Sequence, residues 1–416
     1  MPATLQKTSV VERFLRYVTY DTQSSEKSDT YPSTSKQFAL SDQLVKELRE
    51  LGIQDAARDA NGLVFATIPG NSPKTVPVIG ILAHVDTSPE ASGTNVKPIV
   101  HAAWRGEDIV MPDDPSVVLR PSEHPELKQQ IGQDIITASG TTLLGADDKA
   151  GVAAIMAAAE HLMRHPEIPH GTVRIGFTPD EEIGRGADRF DIRAFGALCA
   201  YTIDGESRGT MDVETFSGDS MVVEFQGFNT HPGFAKNKMI NAIRVAADFL
   251  SRLPRDRMSP ETTELRRGYV HPNQLEGTVD HAAIKFIIRD FDSPELKKME
   301  EQLERLARET AAAWPGARSM VRVQESYRNL GDVLAQNPAV VENAREAYRR
   351  SGLQPRDNAI RGGTDGSRLS AMGLPTPNLF SGAHAAHSRH EWVSAQDMEK
   401  AVEVIVNLAR VWEERA

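Results

Sequence analysis

Two periodicities alternate along this chain. Around residues 10–18 and 35–51 apolar side chains recur every three to four positions, the spacing of a helix with one buried face, whereas 63–68 and 76–83 are short apolar runs typical of buried strands. An alanine-rich helical stretch follows over 150–164, with strand-like runs over 172–178 and 198–203. Such alternation predicts an α/β architecture, with a mixed, mainly parallel sheet flanked by helices. The segment 93–133 is polar and rich in proline and charge, and reads as an extended excursion or hairpin rather than a separate domain.

The order changes near residue 213. Residues 220–228 alternate like a strand, 239–253 are helical, 277–291 hold one or two strands, 293–313 form a long amphipathic helix, and 320–326 alternate again. Strand-helix-strand-strand-helix-strand is the order of a ferredoxin-like sandwich. Because the parallel-type pattern resumes near 330, the expected organisation is a larger domain of residues 1–212 and 332–416. An α+β ferredoxin-like domain of lid or dimerisation type, at 213–331, interrupts it.

Composition narrows the field of partners. A length of 416 residues suits two to three domains, and a net charge of −11 argues against nucleic acid or an anionic membrane as a partner. The single cysteine, Cys199, excludes an intrachain disulfide framework and a thiolate zinc cluster. It stands in the apolar run 197–203 and reads as a buried, inert thiol. The N-terminus lacks the pattern of a secretory signal, and no run approaches the ~18 apolar residues of a membrane span, so a cytoplasmic protein is expected.

Five short polar motifs carry the ligand types of one dinuclear metal site: His84-Val85-Asp86, Asp147-Asp148-Lys149, Glu181-Glu182, Asp204 and His387. Imidazole and carboxylate donors without thiolate suit a zinc-type site that keeps a position open for water. Four of the motifs stand where a strand-like stretch (78–83, 172–178, 199–203 and 376–380) gives way to a loop, which is where open α/β sheets gather their ligands. Each motif alone has an ordinary reading. The aspartates at 147 and 148 could cap the following helix, Asp204 could shape a turn, and His384, His387 and His390 could be a surface cluster. Glu181-Glu182 is more telling, because adjacent carboxylates after a buried strand repel unless a cation or a shared proton relieves them. Five ordinary readings would have to hold at once, whereas one metallohydrolase site accounts for all of them.

The motifs HVDTSP (84–89), TLLGADDKAGVA (142–153), FTPDEEIG (177–184), TIDGE (202–206) and HSRHEW (387–392) resemble those of the dinuclear zinc exopeptidases, the family that includes carboxypeptidase G-like enzymes. With NTHPGFAKNKMINA (229–242), LEGTVDHA (275–282), IIRDFD (287–292) and IRGGTDGSRLS (360–370), the chain is most similar to its tripeptide aminopeptidases, over essentially its whole length. The resemblance implies release of the N-terminal residue from tripeptides, a small peptide as partner, and two zinc ions, with cobalt or manganese as alternatives. Homodimerisation is left open. It further implies that His84 and Asp204 bind one zinc, Glu182 and His387 the other, and Asp147 both. Asp86 would orient His84, Glu181 would be the general base, and the Asp147–Asp148 peptide bond would be cis. His231 is a candidate to help a metal stabilise the oxyanion, with a turn role in Thr-His-Pro-Gly as its competing reading. Arg289 and Arg361 are candidates to grip the substrate's C-terminal carboxylate; an intramolecular ion pair is the competing role for such an arginine. Where the family has an aromatic-Asn-aromatic stretch before the last ligand, this chain has His384-Ala385-Ala386, so His384 and His390 stay open as ligands. A dipeptidase, a carboxypeptidase, an N-acyl amino acid deacylase or an inactive metal-binding homologue could be built on the same site. A nucleotide-binding protein is disfavoured, because the glycines at 362–366 form neither a P-loop nor a dinucleotide fingerprint.

Overall fold

The computed structural model describes residues 9–416. Contacts divide the chain into two units. The first comprises the chain up to Val213 with Asp332–Asn358 and Thr364–Ala416, and the second comprises Glu214–Gly331 with Ala359–Gly363.

The first unit is built on an eight-stranded sheet in the order Ala57–Arg58, Val64–Ile68, Val173–Thr178, Ile79–His84, Cys199–Gly205, Asn378–Phe380, Thr210–Thr215 and Arg356–Ile360. Ile79–His84 runs parallel to both its neighbours, and Asn378–Phe380 is parallel to Cys199–Gly205, while Val64–Ile68 pairs antiparallel with Val173–Thr178 and Thr210–Thr215 with Asn378–Phe380. The Ile79–His84 strand is buried along its whole length, which is why it reads as a continuous apolar run. Ile79 and Ile81 line a small apolar cavity together with Ile155 and Leu162 of the Ala146–Arg164 helix and Ile405 of the Ala395–Glu414 helix. Leu82 faces the other way, into a core with Phe190, Phe195 and Leu369. Gly80 makes that second layer possible, since a Cβ at this position would stand 2.4 Å from the Phe195 ring. Parallel register sets His84 beside Thr178 and Asn378 beside Thr202, so the loops that follow these strands share one end of the sheet.

A smaller four-stranded sheet of Ala383–His384, Trp392–Ser394, Ile135–Thr137 and Ile99–His101 carries the loop that holds His387. The 93–133 excursion contributes its last strand and a hairpin of Ile109–Val110 with Val118–Leu119. It closes over an apolar core of its own, formed by Trp104, Met111, Leu119, Leu127 and Trp392. Cys199 is a buried free thiol, pushed up to about 12 by burial. Among the described residues no helix is long and apolar enough to cross a membrane.

The second unit has a four-stranded antiparallel sheet in the order Tyr269–Gly277, His281–Asp290, Ser217–Gln226 and Arg318–Tyr327, with the helices Ala242–Ser251 and Ser293–Ala313. This is the ferredoxin-like order, closed over a core that includes Val223, Phe225, Phe249, Ile284, Phe286 and Leu303. The sequence pattern places the first strand of the central hairpin no earlier than residue 277, yet it begins at Tyr269. It is an edge strand, largely exposed, with Pro272 beside a register shift, and such a strand carries little periodic signal. Residues Ala359–Gly363 group with this unit, which interrupts the expected continuous stretch 332–416. The cause is local: the Phe216 N–H donates to the Ile360 carbonyl at 3.0 Å, and the Arg361 guanidinium lies over the rings of Phe216 and Tyr269.

Candidate metal centre

The site starts from the end of the most buried strand. His84 is the last residue of Ile79–His84, and its Nε2 lies 3.0 Å from Oδ1 of Asp147 and 3.6 Å from Oδ1 of Asp204. His387 approaches from the opposite side, with Nε2 2.6 Å from Oε2 of Glu182 and 3.5 Å from Oδ2 of Asp147. Two groups of residues that could hold a metal ion result, His84-Asp147-Asp204 and Asp147-Glu182-His387. Asp147 belongs to both and turns one carboxylate oxygen toward each imidazole.

The backbone is shaped to allow this. The Ala146–Arg164 helix begins four residues before the expected position, but Asp147 and Asp148 depart from helical geometry and the bond between them is cis. Asp148 points away from Asp147: its Oδ2 accepts the His84 N–H and its Oδ1 that of Gly151. Asp86 takes two tasks. Its Oδ1 lies 3.3 Å from Nδ1 of His84, and its two oxygens accept the N–H groups of Glu181 and Glu182 at 3.0 and 3.2 Å. The turn carrying those glutamates is fixed from behind by Asp180, whose buried carboxylate accepts from Ser33 and Gln37. His387 has a left-handed backbone, φ 61°, a conformation costly for a residue with a Cβ and one that functional loops tend to retain.

The electrostatics follow from crowding acids in a buried place. Burial pushes the Glu181 carboxyl well above its usual range; His84 opposes the shift, while Asp365, Asp204 and Glu182 add to it. Burial, and then the neighbouring Asp147, raise Asp204 to about 7 and Glu182 to about 8. Burial opposes ionisation of Asp147 too, but hydrogen bonds from His387 and His84 outweigh it and hold this group low. Half-buried carboxylates and two imidazoles that share Asp147, with no sulfur, are a donor set that fits divalent ions of the zinc type.

His384 and His390 lie outside both groups. His384 is buried and stacked on the Trp392 ring with centroids 4.3 Å apart, and His390 faces His124 instead. Burial lowers His384 from 6.5 to about 4, with Glu126 opposing the shift and His124 adding to it, so it stays neutral in the fold. As pH falls below 6.5 the unfolded chain binds a proton that the folded chain refuses, and stability is lost down to about pH 4. His384→Phe should therefore remove about 2 kcal/mol of the stability that the wild type loses between pH 7 and 5. Denaturant unfolding of both proteins at the two pH values checks this, and equal losses would contradict it.

The remaining candidates belong to the second unit. His231 is exposed, and its Nδ1 accepts the Gly233 N–H at 3.1 Å, which caps the short Pro232–Phe234 turn and fits the turn role. Arg289 lies over the Tyr327 ring and donates to the carbonyls of Ile288 and Asp219. Arg361 donates to the Leu265 carbonyl and the Thr263 hydroxyl. Among the described residues the partners of both arginines are carbonyls, a hydroxyl and aromatic faces, with no carboxylate in an ion pair. Two supporting residues escape a reading of the sequence. Asn378 accepts the Asp204 N–H and donates to Asp212, and Glu391 accepts the Asp147 N–H. Only the nearness of Glu391 to His387 in the HSRHEW motif hints at either.

The profile of Peptidase family M20/M25/M40 matches residues 139–411. The chain is 48% identical to a protein named peptidase T from Desulfitobacterium hafniense (strain Y51), over 98% of each chain. It is 45% identical to another of that name from Geobacillus kaustophilus (strain HTA426), over 99% of this chain and all of the relative. Its fold matches the crystal structure of an aminopeptidase from Bacillus cereus ATCC 10987 with a TM-score of 0.76 at 24% identity, covering 97% of this chain and 98% of that one.

Proposed function

The chain belongs to Peptidase family M20/M25/M40, and from that membership we propose that it is a metal-dependent aminopeptidase releasing the N-terminal residue of tripeptides. The observation that carries this reading is the sharing of Asp147 by two ligand groups, with the Glu181–Glu182 turn hydrogen-bonded to the same aspartate that contacts His84. His84, Asp147 and Asp204 would hold one zinc ion, and Asp147, Glu182 and His387 a second. When bound, such a pair supplies charge that acidifies water and polarises a peptide carbonyl. Glu181 takes the proton of the attacking water and returns it to the leaving amine. Asp86 holds His84 in one ring orientation and holds the Glu181 backbone in place. His231 is the candidate side chain for donation to the oxyanion.

Incubation with a free tripeptide and with its N-acetylated form tests the assignment. The free peptide should yield its N-terminal amino acid and a dipeptide, and the acetylated one should persist. Faster cleavage of the acetylated peptide would point to a deacylase instead.

A fixed-length substrate also needs recognition at its far end, and an arginine without a carboxylate partner suits that task. Replacing Arg289 or Arg361 with Met should weaken kcat/KM for free tripeptides by the ~2–3 kcal/mol of a charged bidentate contact, and weaken their C-terminal amides far less. Equal losses on acid and amide substrates would make these arginines structural.

A further inference from the structure

Glu391 stands four residues beyond His387, in the loop between the strands Ala383–His384 and Trp392–Ser394. Its side chain is a buried carboxylate, 1% exposed. Oε2 accepts the N–H groups of Leu144 and Gly145, both at 2.7 Å, and Oε1 accepts that of Asp147 at 2.9 Å. These are donors at a helix start, where the backbone offers them no partner, and Gly145 at the cap has no side chain to serve them. A carboxylate at a helix start is by itself ordinary capping. Here, however, the cap joins two segments that both carry candidate ligands, 244 residues apart in sequence. On one side of the joint is Asp147, the member common to both ligand groups, and on the other is the loop that holds His387 in its left-handed conformation.

We propose that Glu391 is a positioning residue for the metal centre, setting Asp147 and the His387 loop in register so that their donor atoms converge with that of Glu182. This rests on the metal-centre reading given above. The chemistry requires a carboxylate, because both oxygens act as acceptors. In Glu391→Gln one oxygen becomes an NH2 group, which faces a backbone donor and cannot accept from it. Glu391→Asp keeps both acceptors but is one methylene shorter, so it should restore part of the function.

Zinc affinity of the full chain, measured by competition with a chromophoric chelator, tests the proposal without any need for substrate. Circular dichroism and thermal unfolding of the metal-free proteins monitor the fold. In Glu391→Gln at least one zinc should bind about 10–100-fold more weakly, the range expected when an outer partner of a metal ligand is lost. Glu391→Asp should fall between that variant and the wild type. A folded Glu391→Gln protein that binds both zinc ions with wild-type affinity, its melting temperature alone lowered, would overturn the proposal and leave an ordinary helix cap. If Glu391→Gln does not fold, Glu391→Asp decides: weakened zinc binding supports the proposal and unchanged affinity overturns it. Wild-type protein that binds no zinc would overturn both this inference and the metal centre. A failure of the tripeptide assignment alone would leave the zinc affinities to decide.

Discussion

Glu181→Gln is expected to lower tripeptide turnover about 10²–10⁴-fold, the contribution typical of a positioned general acid–base group, while metal binding persists. The reason lies in how Glu181 is held. Its backbone N–H donates to Asp86 at 3.0 Å and is untouched by the substitution, and its side chain belongs to neither ligand group. Gln matches Glu in size, so the turn and the adjacent Glu182 should keep their places. What is lost is a group that can accept and return a proton. Turnover measured beside metal content separates this role from a structural one: lost activity with metal retained fits the assignment, and near-normal turnover contradicts it.

Asp147→Ala should have the opposite signature. The substitution removes one donor from each of the two ligand groups, since Oδ1 faces His84 and Oδ2 faces His387. Zinc should be lost from both positions and activity with it, yet the metal-free protein should stay folded, because the backbone N–H of this residue still donates to Glu391. Ligand linkage makes this visible without a substrate. Zinc at 100 times its Kd should stabilise the wild type by about 2.7 kcal/mol for each site, and the variant should show almost none of that gain. A full zinc-dependent shift in Asp147→Ala would remove Asp147 from the centre.

Part of this arrangement is legible in the sequence because His84 and Asp204 stand at the ends of buried strands. His84 closes an apolar run, and the parallel register that sets His84 beside Thr178 follows from the same buried pattern that marks the strands. What escapes the sequence is set by tertiary contacts. Glu391 looks like one more charge among histidines and an arginine, and nothing local indicates that its carboxylate is buried against the start of a distant helix. His384 stays open as a ligand in the sequence, whereas in the fold it stacks on Trp392 and lies outside both ligand groups. The 93–133 excursion reads as polar because Trp104, Met111, Leu119 and Leu127 are spaced too irregularly for any period, although together they close a core. The Tyr269–Gly277 strand is hidden for a related reason, since an edge strand with Pro272 and mostly exposed positions need not alternate.

Because Asp147 belongs to both ligand groups, turnover should require two metal ions per chain. The most direct test is to strip the protein of metal, add zinc in steps, and follow release of the N-terminal residue from a tripeptide against equivalents bound. The stripped protein should show no turnover, and activity should rise until two equivalents are bound per chain. Full activity in the stripped protein, or a plateau at one equivalent with no further ion bound, would contradict that requirement.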